Sequence, residues 1–167
     1  GSGTVEALAG TSIAMDDGTT TSAAANIRYV ATTTMSIGAI STTADVSLSA
    51  SSITDSGTTE NDVTADELRI VATGTADGNG AGDGTNHLEI SINTLAANID
   101  GTGTGGLFLT EATGITIGTL NNIAITRMAA DTTTSTITDT GFSDLDSAGH
   151  LVLVTTAGAI TVNEGDA

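Results

Sequence analysis

The chain has 167 residues with no cysteine, proline or tryptophan, and 20 acidic side chains face 3 cationic ones for a formal net charge of −17. Phosphate backbones and anionic membrane surfaces are repelled by such a chain, so nucleic acid and lipid headgroups are excluded as partners. Without cysteine there is no disulfide and no thiolate metal site.

The length suits one domain, but the core must be built without many rings, because aromatic residues make up 2% of the chain. They are Tyr29, Phe108 and Phe142. The apolar residues are mainly isoleucine, leucine, valine and alanine, and no run of them is long enough for a helix across a bilayer. High charge and few aromatics would suit disorder, but the apolar residues are periodic, and that argues for a fold. Gly1-Ser2-Gly3 reads as a cloning remnant, with residues 4–167 as a single segment of a longer chain.

In chain order, short apolar-x-apolar segments recur in pairs. Val5-x-Ala7 is followed by Ile13-x-Met15, and Ile27-x-Tyr29 by Met35-x-Ile37. A weaker copy joins Leu88-x-Ile90 to Ala97-x-Ile99. Further on come Leu107-x-Leu109 with Ile115-x-Ile117, and Leu151-x-Leu153 with Ile160-x-Val162. Strict alternation over three to five residues is a strand signal, with one side chain in and the next out. No window carries a helical stripe.

The first strands of successive units are expected at Val5, Ile27, Val46, Leu68, Leu88, Leu107, Ile123 and Leu151. A repeat of roughly 20 residues made only of short strands predicts an all-β parallel β-helix, or β-solenoid, of about seven or eight rungs. The polar stretch 131–149 breaks the period and is expected to be an irregular rung or an inserted loop. Rungs stacked about 4.8 Å apart would give a rod of roughly 35–40 Å. Threonine suits both strands and outward ladders, glycine and asparagine suit the corners, and proline would remove an inter-rung hydrogen bond. Neither end carries an evident cap, which predicts stacking neighbours and end-to-end association.

The stretch Leu68–Gly118, LRIVATGTADGNGAGDGTNHLEISINTLAANIDGTGTGGLFLTEATGITIG, resembles the repeats of giant filamentous-haemagglutinin-like bacterial surface adhesins. Asn26–Gly38 (NIRYVATTTMSIG) and Gly149–Val162 (GHLVLVTTAGAITV) repeat its last part, whereas 131–149 departs from it. The resemblance implies a right-handed coil, an extracellular or cell-surface location, and a role as stalk or adhesive surface. The implied partners are neighbouring repeats of the same long chain and a cell-surface glycan or protein.

Catalysis is not expected. Polysaccharide-acting β-helices need paired carboxylates in a groove lined by aromatics, and Asp16-Asp17 and Asp144-x-Asp146 are the tight acidic pairs that could be imagined in that role. His87 and His150 each precede a strand at the same corner of different rungs, about three rungs apart, too far to share a metal. Calcium is the one cofactor the composition suggests, because hard oxygen donors cluster in glycine-rich turns. The candidate ligands are Asp77, Asn79 and Asp83 in one turn, and Asp139, Asp144 and Asp146 in a second cluster. Like charges stacked at rung spacing repel by about 0.9 kcal/mol even at water's dielectric constant, which favours a cation. This gives the alternative function, a solenoid whose folding is coupled to calcium. An ice-binding threonine array is weaker, since the triplets Thr19–Thr21, Thr32–Thr34 and Thr132–Thr134 share no fixed place in the repeat. Arg28 and Arg69 should point outward and relieve the acidic surface.

Overall fold

The computed structural model describes residues 3–57 and 60–163; Gly1 and Ser2 of the expected remnant lie outside the described residues. Every regular element among the described residues is a strand, and the strands form an eight-stranded sheet, a ten-stranded sheet and a two-stranded ribbon. Among the described residues, no helix is long and apolar enough to cross a membrane.

The chain passes repeatedly between the two large sheets. The first circuit is β1 (Val5–Ala9), β2 (Ile13–Ala14) and β3 (Thr20–Ser22), and the second is β4 (Ile27–Ala31), β5 (Thr34–Ile37) and β6 (Ala39–Ser41). The third is β7 (Val46–Ala50), β8 (Ser52–Asp55) and β9 (Val63–Thr64), and the fourth β10 (Glu67–Ala72), β11 (Gly80–Ala81) and β12 (Leu88–Ser91). The fifth has β13 (Thr94–Ile99) and one long strand, β14 (Gly106–Glu111). The sixth runs through β15 (Ile115–Ile117), the hairpin β16 (Ile123–Met128) and β17 (Thr134–Asp139), then β18 (Leu145–Ser147) and β19 (His150–Thr155). Strand β20 (Ile160–Val162) opens a seventh.

The first strands of the circuits stack in order β1-β4-β7-β10-β13-β15-β20 to make the first sheet, with β18 also on β13. The remaining strands, the hairpin apart, make the second sheet. Among the described residues every strand pairing within these two sheets is parallel, for example Ile27↔Val46 and Leu68↔Leu95. Alternation sends every other side chain into the space between the sheets. The result is a continuous apolar ladder, Val5–Ile27–Val46–Leu68–Leu95–Ile117–Val162, at steps of 19 to 27 residues up to Ile117. Ile27, Val46, Leu68 and Leu95 are fully buried, each such side chain contributing about 1.5–3 kcal/mol. Leu109 and Ile117 also face the interior, as the alternation requires. Seven strands at 4.8 Å spacing stack to a height of about 29 Å.

The expected phase needs correction after the fourth circuit. Val5, Ile27, Val46 and Leu68 do open successive circuits. Leu88, Leu107 and Leu151 stand in the second sheet, and Ile123 begins a strand paired antiparallel with β17. The slip follows the glycine-rich stretch between β10 and β12, which lengthens that circuit. Glycine is required there where circuits touch: Gly80 stacks on Gly106 with φ of 158° and 142°, and a Cβ on Gly80 would lie 2.0 Å from the Gly106 carbonyl oxygen.

The interruption of the sixth circuit starts after Ile117 and ends before Leu145, so it is longer than the polar stretch 131–149. Strand β15 pairs with β13 as far as Leu95↔Ile117, and β18 resumes at Ala97↔Leu145. Between them the hairpin folds back along the outer face of the first sheet towards the first circuit. Its residues Leu120, Ile123 and Ile125 are buried yet lie outside the interior cluster, as does Ala96 on β13. The contacts climb circuit by circuit. Asn121 bonds Glu67, and the Thr140 carbonyl accepts from Arg69 Nε at 3.1 Å. Asp139 accepts from Ser47 Oγ at 2.6 Å and from Arg28 Nε at 2.9 Å, and the Ala124 carbonyl accepts from Asn26. Thr126 exchanges bonds with Thr4, and Arg127 binds Glu6 through two nitrogens at 2.6 Å. Arg28 also reaches Glu6, at 2.8 Å. Hydrogen bonding to Arg127, and then to Arg28, holds the Glu6 carboxyl below its ordinary range. Arg28 and Arg69 thus point away from the interior as expected, but beneath the hairpin. All three arginines of the chain are spent on this seam.

Candidate functional site

On the second sheet the acidic side chains have no arginine to meet. Asp55 ends β8, Asp62 immediately precedes β9, and Glu89 is the second residue of β12. The register Ile90↔Val63 puts Glu89 directly over Asp62, one circuit apart. The two backbones lock together: the Asp62 N–H donates to the Glu89 carbonyl at 2.7 Å, and the Glu89 N–H donates to Asp62 Oδ2 at 2.8 Å. Asp55 Oδ1 accepts from the Gly57 N–H at 2.6 Å. One carboxylate oxygen from each of Asp55, Asp62 and Glu89 lies within 4.8 Å of the others.

This corner also holds every buried side-chain oxygen found without a hydrogen-bond partner among the described residues: Asp55 Oδ2, Ser56 Oγ, Asp62 Oδ1 and Glu89 Oε2. Asp62 is wholly buried. Burial, reinforced by the Asp55 carboxylate beside it, pushes its carboxyl up to about 9. Burial and then the Asp55 charge raise Glu89 as well. Nearby, a hydrogen bond with Glu60 raises Asp17, and the Gly18 N–H donates to Glu60 Oε1 at 2.9 Å. Five carboxylates from three circuits therefore crowd one corner. Chemically, the trio can share a proton or surround a hard cation. Its orphaned oxygens are closed to solvent, so a sugar chain cannot reach them for acid–base work.

The ligands expected from the sequence are placed elsewhere. Asp77 Oδ1 accepts from the Thr104 N–H at 2.6 Å and from Thr104 Oγ1, which lowers its pKa and ties its turn to the next circuit. Asp83 Oδ1 caps its own turn by accepting from the N–H groups of Thr85 and Asn86 and from Thr85 Oγ1, and its pKa is likewise lowered. The Asn79 carbonyl accepts from the Gly106 N–H. Asp139 is in the arginine seam, Asp144 lies at a positive φ of 71° before β18, and Asp146 pairs with Asn98 within the first sheet. Among the described residues, Asp139, Asp144 and Asp146 do not bring three carboxylate oxygens close enough for one ion.

His87 and His150 are separated by two circuits rather than three, with Phe108 between them at ring-centroid distances of 6.0 and 6.1 Å. A polar groove of about 480 Å³ runs along another corner, lined by Thr42, Thr64, Asp66, Ser91, Asn93 and Thr113 among others. Sequence spacing does not reveal the Asp55–Asp62–Glu89 trio because Glu89 lies 27 residues beyond Asp62. The one cue is that Asp62 and Glu89 each stand next to a strand residue, Val63 and Ile90, which registration of the circuits would stack. No protein family, curated protein or solved structure matches the chain in comparison.

Proposed function

We propose that the chain is a segment of right-handed parallel β-solenoid, serving as a rigid rod or presentation surface within a very large extracellular bacterial protein of the filamentous-haemagglutinin-like kind. The supporting observation is that the interior ladder runs on into the end circuit and is open there. Val162 is 72% exposed, whereas Ile117 directly beneath it is 4% exposed. Ile160 and Leu151 are likewise exposed above the buried Ile115 and Leu107. These are the side chains that a further circuit covers in a continuing stack. Right-handedness follows the general rule for connections between parallel strands of one sheet. In this reading neighbouring repeats of the same chain are the first partners and a cell-surface glycan or protein is contacted by the assembled rod. The charge of −17 opposes aggregation through the open strand edges.

A tandem fusion of two copies tests this reading by small-angle X-ray scattering. The expected result is an unchanged cross-section with about twice the length, as stacking at 4.8 Å per circuit requires. Scattering from two independent bodies on a flexible joint would overturn it.

A further inference from the structure

We propose that Asp55, Asp62 and Glu89 form a binding site for one hard divalent cation of calcium's size, which ties β8, β9 and β12 together at their shared corner. The first support is geometric. Oxygens on opposite sides of one Ca²⁺ ion, each about 2.3–2.6 Å from it, span at most about 5.2 Å. The three carboxylate oxygens lie within 4.8 Å of one another and meet that limit as they stand.

The second support is independent of the clustering. Asp62 is wholly buried, one of its oxygens is bonded to the Glu89 N–H, and the other has no partner. A buried carboxylate oxygen left unbonded costs on the order of its desolvation unless a proton or a cation occupies it. Three of the four orphaned oxygens of the described residues belong to this trio, and their chemistry is that of a hard-cation ligand set. The surrounding charges leave the demand unmet. Asp17 and Glu60 add negative charge beside Asp55, His87 acts on Glu89 at a distance, and the arginines belong to the opposite sheet.

Calorimetric titration of calcium chloride into the EDTA-treated, dialysed chain at pH 7, with melting followed in parallel, tests the site. The expected result is one saturable site and a raised Tm. Asp62→Asn should weaken binding at least about tenfold, and Asp77→Asn with Asp83→Asn should leave it unchanged. If Asp62→Asn does not fold, Glu89→Gln at a half-buried position carries the same test. No saturation by about 10 mM calcium, above the range of the weakest extracellular modules, would overturn the proposal. So would binding that survives both trio variants or is lost with Asp77 and Asp83.

Discussion

Changing Asp139 to alanine is expected to lower the free energy of unfolding by about 3 kcal/mol, since it removes one partner of a nearly buried ion pair. The Asp139 and Arg28 side chains are 12% and 14% exposed, and the fully buried Ser47 hydroxyl donates to the same carboxylate. Removing that carboxylate leaves Ser47 without its acceptor and Arg28 with Glu6 alone. The cost should be read as a lower denaturation midpoint, with faster amide exchange in β16 and β17 than in β7. Arg127→Ala is the contrast. That side chain is 40% exposed and Glu6 keeps Arg28, so the loss should stay below about 1 kcal/mol. Equal losses in the two variants would mean that the seam does not depend on Asp139.

Leu109→Asp has a larger expected effect, the loss of folding altogether. Leu109 sits in β14 between Leu88 on one side and Leu153 on the other, and it is fully buried in the interior cluster. Truncating such a side chain costs about 2–5 kcal/mol, and an unpaired buried carboxylate adds several more. Total stabilities are about 5–15 kcal/mol, so little or nothing is left. Circular dichroism should show the β spectrum lost. Leu8→Asp, at a position 62% exposed on β1, should keep it. A folded Leu109→Asp chain would contradict the inward assignment of β14.

How far the sequence could be read depended on the distance over which each feature acts. Alternation is local, so the strands at Ile27, Leu68 and Leu107 were legible, and the scarcity of rings fitted a narrow interior of aliphatic side chains. Which sheet a strand joins is not local. Leu88-x-Ile90 carries the same pattern as Leu68-x-Ile70, yet β12 belongs to the second sheet and β10 to the first. The stretch around Ile123 also alternates, and nothing in it distinguishes an antiparallel hairpin from another circuit. The arginine seam joins residues 111 and 121 positions apart, Arg28 with Asp139 and Arg127 with Glu6, so no spacing reveals it. The acid-rich glycine turns drew attention because their donors are close in sequence. Asp77 and Asp83 use those oxygens to hold turns, while Glu89 reaches Asp55 and Asp62 only through the stacking of one circuit on the next.

Parallel stacking of successive circuits is the claim on which the rest depends, and disulfide trapping tests it most directly. The chain has no cysteine of its own. Ser36 on β5 and Thr54 on β8 are register partners on adjacent strands, whose separation of about 4.8 Å falls within the range a disulfide spans. Oxidation of the Ser36→Cys, Thr54→Cys variant should give an intramolecular crosslink. The Ser36→Cys, Ser52→Cys variant, two residues out of register, should stay reduced. Crosslinking of both pairs alike, or of neither, would contradict the stacked fold.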